Sequence, residues 1–229
     1  MRIPAAVDVL QRDLRGIFGP RLASLVVYGL RADVPDAHDR LPDRHEPASI
    51  ETLAVIDLLT VNDLRACATR VTAWHQAGLA TPLLLAAHEF GRSLDAFPFE
   101  FGAILSDHVV VFGRTPFAGL TVDDADLRHA CEIEARGHLL HLREGYLETT
   151  ARTDALAVLL VRSAPAFAAL IAAVGRLDGT GAGDVGAAAR HAERRLELNT
   201  SIVSDIVALA GVAEIPSKEA ERLFPPYLD

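Results

Sequence analysis

The sequence predicts an α+β protein, in which a small mixed β-sheet domain is followed by a C-terminal α-helical bundle. Short apolar runs of strand length occur only before Pro116, and long helical patterns dominate after it. The boundary is expected between Gly119 and Asp123, dividing the chain into residues 1–120 and 121–229.

Val7, Leu10, Leu14 and Ile17 recur at helical spacing, and Gly19-Pro20 ends that first helix. Leu22 to Tyr28 and Leu53 to Leu59 then read as two buried strands around a polar segment rich in Asp, Arg, His and Pro. Thr60 followed by Asp63 signals a capping box, and the apolar face of Val61, Leu64, Cys67, Ala68 and Val71 extends one helix to Trp74 and Gly78. Pro82 to Leu85 is expected to pair as a short strand, with a turn or two of helix over Ala87 to Leu94. From Phe97 the residues alternate, which predicts a strand carrying Phe97, Phe99, Phe101, Ala103 and Leu105 on one face and Glu100 on the other. His108 to Phe112 would return as its hairpin partner around Asp107. Three helices are expected afterwards, from Asp123 to Tyr146, Thr153 to Val174 and Val185 to Ala210.

Among 229 residues, half are apolar and the net charge is −9, so no general attraction to nucleic acid or to a membrane surface is expected. Asp8, Arg12, Asp13 and Arg15 break up the region where a signal peptide needs an apolar run, which predicts a cytoplasmic protein. The apolar stretches Ala155 to Leu160 and Ala164 to Val174 are interrupted by Arg162 and Pro165, and each is too short to span a bilayer. Cys67 and Cys131 fall in predicted helices and read as buried apolar fillers.

Several patterns invite a functional reading and lack the context for one. Gly181 to Gly186 matches G-x-G-x-x-G but follows a helix instead of a strand, so it reads as a connection. His138 and His141 are three apart, without the order or the third ligand of a metal helix. Arg136 and Arg143 are explained by ion pairs with Glu132 or Glu144.

The order of helix, strand, glycine turn, second strand and carboxylate-bearing third strand resembles the nucleotidyltransferase domain of the DNA polymerase β superfamily. Three phrases resemble a bacterial group of those proteins: LDAFPFEF from Leu94 to Phe101, VFGRTPFAGL from Val111 to Leu120, and EARGHLLHLREGY from Glu134 to Tyr146. The resemblance implies a nucleotidyltransferase-like sheet domain. In the family a Gly-Ser turn binds a triphosphate, and carboxylates on the second and third strands hold two Mg²⁺ ions for transfer of an NMP group from an NTP to a small molecule or protein.

This chain departs from that pattern at each of the chemical positions. Gly-Ser becomes Gly29-Leu30, followed by Arg31, Ala32 and Asp33, which leaves Gly29, Leu30 and Arg31 as the implied nucleotide-binding residues. The paired carboxylates become Ile50 and Thr52. Glu51 between them would point to the opposite face unless the register slips, and Glu100 stands at the third-strand position. Glu51 and Glu100 are therefore the candidate catalytic carboxylates. Asp43 and Glu46 in the polar segment are candidate Mg²⁺ ligands, although Pro47 separates them from the strand that would fix their geometry. The expected reading is a catalytically degenerate member that binds a nucleotide or a protein partner, with an active Mg²⁺-dependent enzyme as the alternative.

Overall fold

The computed structural model describes residues 4–29, 49–180 and 184–229. They divide into two compact units, one ending at Val122 and the other beginning at Asp123.

The first unit is built on a four-stranded mixed sheet. Its strands are β1 (Leu22–Tyr28), β2 (Glu51–Ile56), β3 (Leu83–Ala86) and β4 (His108–Gly113), in the order β3-β2-β1-β4. β1 lies antiparallel to both β2 and β4, and β3 is parallel to β2. A register shift separates Leu25 from Val26 where β1 meets β4. Gly113 ends β4 with a φ of 77°, and a Cβ there would overlap the Ala23 carbonyl oxygen.

Helices cover both faces of this sheet. On one face, Val7, Leu10, Leu14 and Phe18 of α1 (Ala5–Phe18) pack with Leu25 and Val27 of β1 and Ala54 and Ile56 of β2. Cys67 of α2 (Val61–Ala68) and Trp74 of α3 (Val71–Gln76) complete that core. The other face carries Val26, Leu53 and Val55 against Phe90 and Leu94 of α4 (Ala87–Ala96) and Phe101 and Ile104 of α5 (Pro98–Ser106).

Two polar ties hold the first face together. Arg21 grips Asp63 with two hydrogen bonds of 2.8 Å and donates a third to Leu58 O, so the Asp63 carboxyl is held far below its usual range by the guanidinium. Trp74 Nε1 donates to Asp13 at 2.9 Å, joining α3 to α1.

The expected capping box is present, with Thr60 and Asp63 bonded reciprocally. The single helix expected behind it is not. It breaks at Thr69 and Arg70 into α2 and α3, and Val61 and Leu64 are exposed while Asp63 and Cys67 are buried. The Arg21 ion pair draws Asp63 inward and rotates the apolar residues outward.

The largest correction concerns Phe97 to Leu105, which form helix α5 and not a strand. Pro98 takes the first helical position, where its missing N–H costs nothing. Phe101 and Ile104 are buried one turn apart, Phe97 is 56% exposed, and Ala103 is exposed. The run of alternating phenylalanines imitates strand periodicity without its burial. β4 consequently pairs with β1 and not in a hairpin around Asp107.

The second unit is helical, with α6 (Asp124–Glu148), α7 (Thr153–Leu177), α8 (Val185–Arg195), α9 (Ile202–Ala208) and α10 (Ser217–Leu228). Asp123 and Asp184 cap α6 and α8 through their carboxylates. α7 runs through Arg162 and Pro165, so the expectation of two short apolar stretches is corrected. By length and composition α7 is long enough to cross a membrane, but Leu160, Ala164, Ala168 and Ile171 are buried as the core of this unit. The helix expected from Val185 to Ala210 is two helices, with Glu197 at a φ of 53° in the break. α10 carries Leu223 and Phe224 into the same core. Cys67 and Cys131 are free thiols and buried, as their helical settings predict.

Candidate functional site

β1 ends at Tyr28, and the next residue, Gly29, turns the chain with a φ of 69°. The Gly29 N–H donates to Asp107 O at 3.2 Å, linking the end of β1 to the residue before β4. A Cβ on Gly29 would lie 3.9 Å from Glu51 Oε2, so the Glu51 carboxylate stands beside this turn. Of the sequence-predicted site residues, Gly29 and Glu51 are brought together.

Glu51 is paired with Tyr28, and Tyr28 with His108, on three consecutive strands. Strand alternation puts all three on the face of Leu53, Val26 and Val110, at the edge of the core formed with α4 and α5. This row of carboxylate, phenol and imidazole is about 10 Å across, two strand spacings. Each of the three residues is half-buried.

The imidazole is fixed by its neighbours. His108 Nδ1 lies 3.1 Å from Ile104 O and 3.2 Å from Leu105 O, both at the C-terminal end of α5. Carbonyl oxygens only accept, so Nδ1 carries a hydrogen, and the Nδ1–H tautomer of the ring presents Nε2 as an acceptor. The ring also meets Phe117 edge-on, 4.4 Å between centroids. Tyr28 and His108 were not singled out by sequence. The signal was the pairing of β4 with β1, which the false strand at Phe97 to Leu105 concealed.

The other face holds the positions where the resemblance calls for metal ligands. Ile50 bridges to Leu79 and packs against the α1 core. Thr52 pairs with Val27, is 1% exposed, and its Oγ1 has no hydrogen-bond partner. A carboxylate at this buried position would lose its hydration without gaining a compensating group. Glu51, as alternation requires, points to the opposite face from Ile50 and Thr52.

Glu100 stands in the first turn of α5, so the strand that was to present it as a third catalytic carboxylate does not exist. It lies roughly 10 Å along the helix axis from Asp107, the residue that binds Gly29. Leu30, Arg31, Asp43 and Glu46 lie outside the described residues. Among the described residues, no group of three or more His, Cys, Asp or Glu side chains could hold a metal ion. The described residues thus do not fit the Mg²⁺ pair that the resemblance implies.

The row's own chemistry is that of hydrogen bonding to a polar, uncharged or cationic group. Glu51 and the His108 Nε2 accept, the Tyr28 hydroxyl both donates and accepts, and none of them supplies positive charge for a phosphate chain. The Gly29 amide, which a phosphate turn would use, is already bonded to Asp107. Searches against protein-family models and against curated proteins give no match to this sequence.

Proposed function

We propose that this chain is a nucleotidyltransferase-fold protein that has lost transfer chemistry and binds a nucleotide weakly, or a protein partner, at the strand ends formed by Gly29, Glu51, Tyr28 and His108. The observation that carries this reading is Thr52. At the position where a metal-binding carboxylate is expected, the chain has a hydroxyl that is 1% exposed beneath the α1 side of the sheet. The engaged Gly29 amide supports the same reading, because it leaves that turn without its main-chain phosphate donor.

The nucleotide would be held through its sugar and base. Ribose hydroxyls suit His108 Nε2 in the Nδ1–H tautomer, and the Tyr28 ring offers an apolar surface. The triphosphate would find the Gly29 amide already bonded to Asp107, which keeps affinity low.

Titration of the protein with ATP, with and without Mg²⁺, tests this. Binding is expected with a dissociation constant on the order of 1 mM, unaffected by the metal, and with no transfer of an α-phosphate label to any acceptor. Metal-dependent label transfer that Glu51→Gln abolishes would instead establish the active enzyme acting on a small molecule or protein.

A further inference from the structure

The last turn of α10 is tied to its neighbours by one side chain. Pro225 and Pro226 lie inside this helix and have no N–H, so two rungs of the backbone ladder are missing just before Tyr227. The Tyr227 hydroxyl instead joins α10 to α6 and α7. It lies 2.6 Å from His138 Nε2 and donates to Ser163 Oγ at 3.4 Å. Its ring meets Phe167 edge-on at 5.1 Å between centroids and stands 5.9 Å from the His138 ring. We propose that His138 and Tyr227 form an acid-released latch: the neutral imidazole docks the turn from Tyr227 to Asp229 on α6 and α7, and protonation of the ring lets that turn lift away. The proposal is independent of the strand-end site.

The hydrogen bonds run in one direction. Ser163 Oγ donates to Leu160 O at 3.0 Å and Tyr227 donates to Ser163, so the close contact requires His138 Nε2 to donate to the Tyr227 oxygen. The neutral ring therefore carries its hydrogen on Nε2, and Nδ1 needs no donor. Protonation adds a charge and a second N–H, on Nδ1, for which no acceptor stands among the described residues. Around it lie apolar groups, Leu139 of α6 and Phe167 and Leu170 of α7. The charged ring gains hydration only if the packing opens, and the proline-weakened turn is the side that yields.

Few charged or titratable groups face the ring. They are His141 on α6 and Tyr227 and Asp229 on α10, while the α7 residues lining this seam are apolar. Burial holds the His138 imidazole below its ordinary range and His141 adds to the effect; burial pushes the Tyr227 phenol up, so it stays neutral. The sign follows. A histidine held low when docked and ordinary when released contributes its docking free energy in full above about pH 6.5, and that contribution is lost as the pH falls through the docked value.

NMR of the full chain between pH 7.5 and 5 tests the latch. The amide shifts of Tyr227, Leu228 and Asp229 are expected to move toward random-coil values, with the released population rising about fivefold, while Ala220 to Phe224 stay native. The ring nitrogens of His138 should titrate with the same midpoint. His138→Gln keeps a donor and removes the titration, so its last turn should stay docked throughout. Asp229→Asn should leave the transition in place. A turn that remains docked while His138 titrates overturns the latch, as does a release whose midpoint differs from that of the ring. Release that persists in His138→Gln, or vanishes in Asp229→Asn, assigns the transition to another group and overturns it equally.

Discussion

Thr52 shows how a single side chain can separate architecture from chemistry. Its hydroxyl is buried without a partner, a situation in which the desolvation of the group is uncompensated. Thr52→Val keeps the shape and removes the polar atom. It is expected to raise stability by about 1 kcal/mol in chemical denaturation, with the fold and any ligand binding at the strand ends unchanged. The placement of Glu51 opposite Thr52 was legible from the sequence, because side-chain alternation in a strand needs only the strand itself. His108 was not. Its role depends on two carbonyls from α5 and on a strand partner distant in sequence, neither of which leaves a local pattern. Asp63 illustrates the same divide: the capping box could be read from Thr60 and Asp63, whereas the Arg21 ion pair that buries Asp63 joins residues 42 positions apart.

At the level of elements, the strands β1, β3 and β4 and the helix α1 occupy nearly the expected residues, whereas β2 runs from Glu51 to Ile56 instead of Leu53 to Leu59, and Leu58 is exposed beyond its end. α5 does not, because Phe97, Phe99 and Phe101 satisfy a period of two while burial follows the helix. The helical arrangement makes the phenylalanines unequal. Phe101 is 3% exposed and packs edge-on against Phe90 at 5.8 Å, while Phe97 is 56% exposed. Phe101→Ala is expected to cost about 3–5 kcal/mol and Phe97→Ala no more than about 0.5 kcal/mol, as read from urea unfolding curves. A strand with both rings on one buried face would give comparable losses. The long pattern from Val185 fails for a related reason: Leu196 and Leu198 continue the apolar count, yet both are exposed where the chain turns between α8 and α9.

For the whole molecule, the division between a sheet-bearing part and a helical part was legible from the order of the elements. Which residues supply each core was not. Among the described residues, the core of the helical unit draws its buried side chains from Leu142 onward, while α1, the sheet and α2 to α5 supply the other two clusters. A fragment spanning residues 123–229 is therefore expected to fold alone, with helical circular dichroism and a cooperative thermal transition. A fragment lacking cooperativity would show that the helical core needs the remainder of the chain. The apolarity of α7 belongs to this same scale, since its hydrophobic length is explained by the neighbours that bury it.

The hydrogen bond from Trp74 to Asp13 has an optical consequence. Trp74 is the chain's sole tryptophan, it is 1% exposed, and its indole nitrogen is tied to α1. Emission excited at the red edge of the protein's absorption therefore reports the seating of α3 on α1. The helical unit has no tryptophan, so this emission follows the sheet-bearing part of the polypeptide alone, without attaching any label.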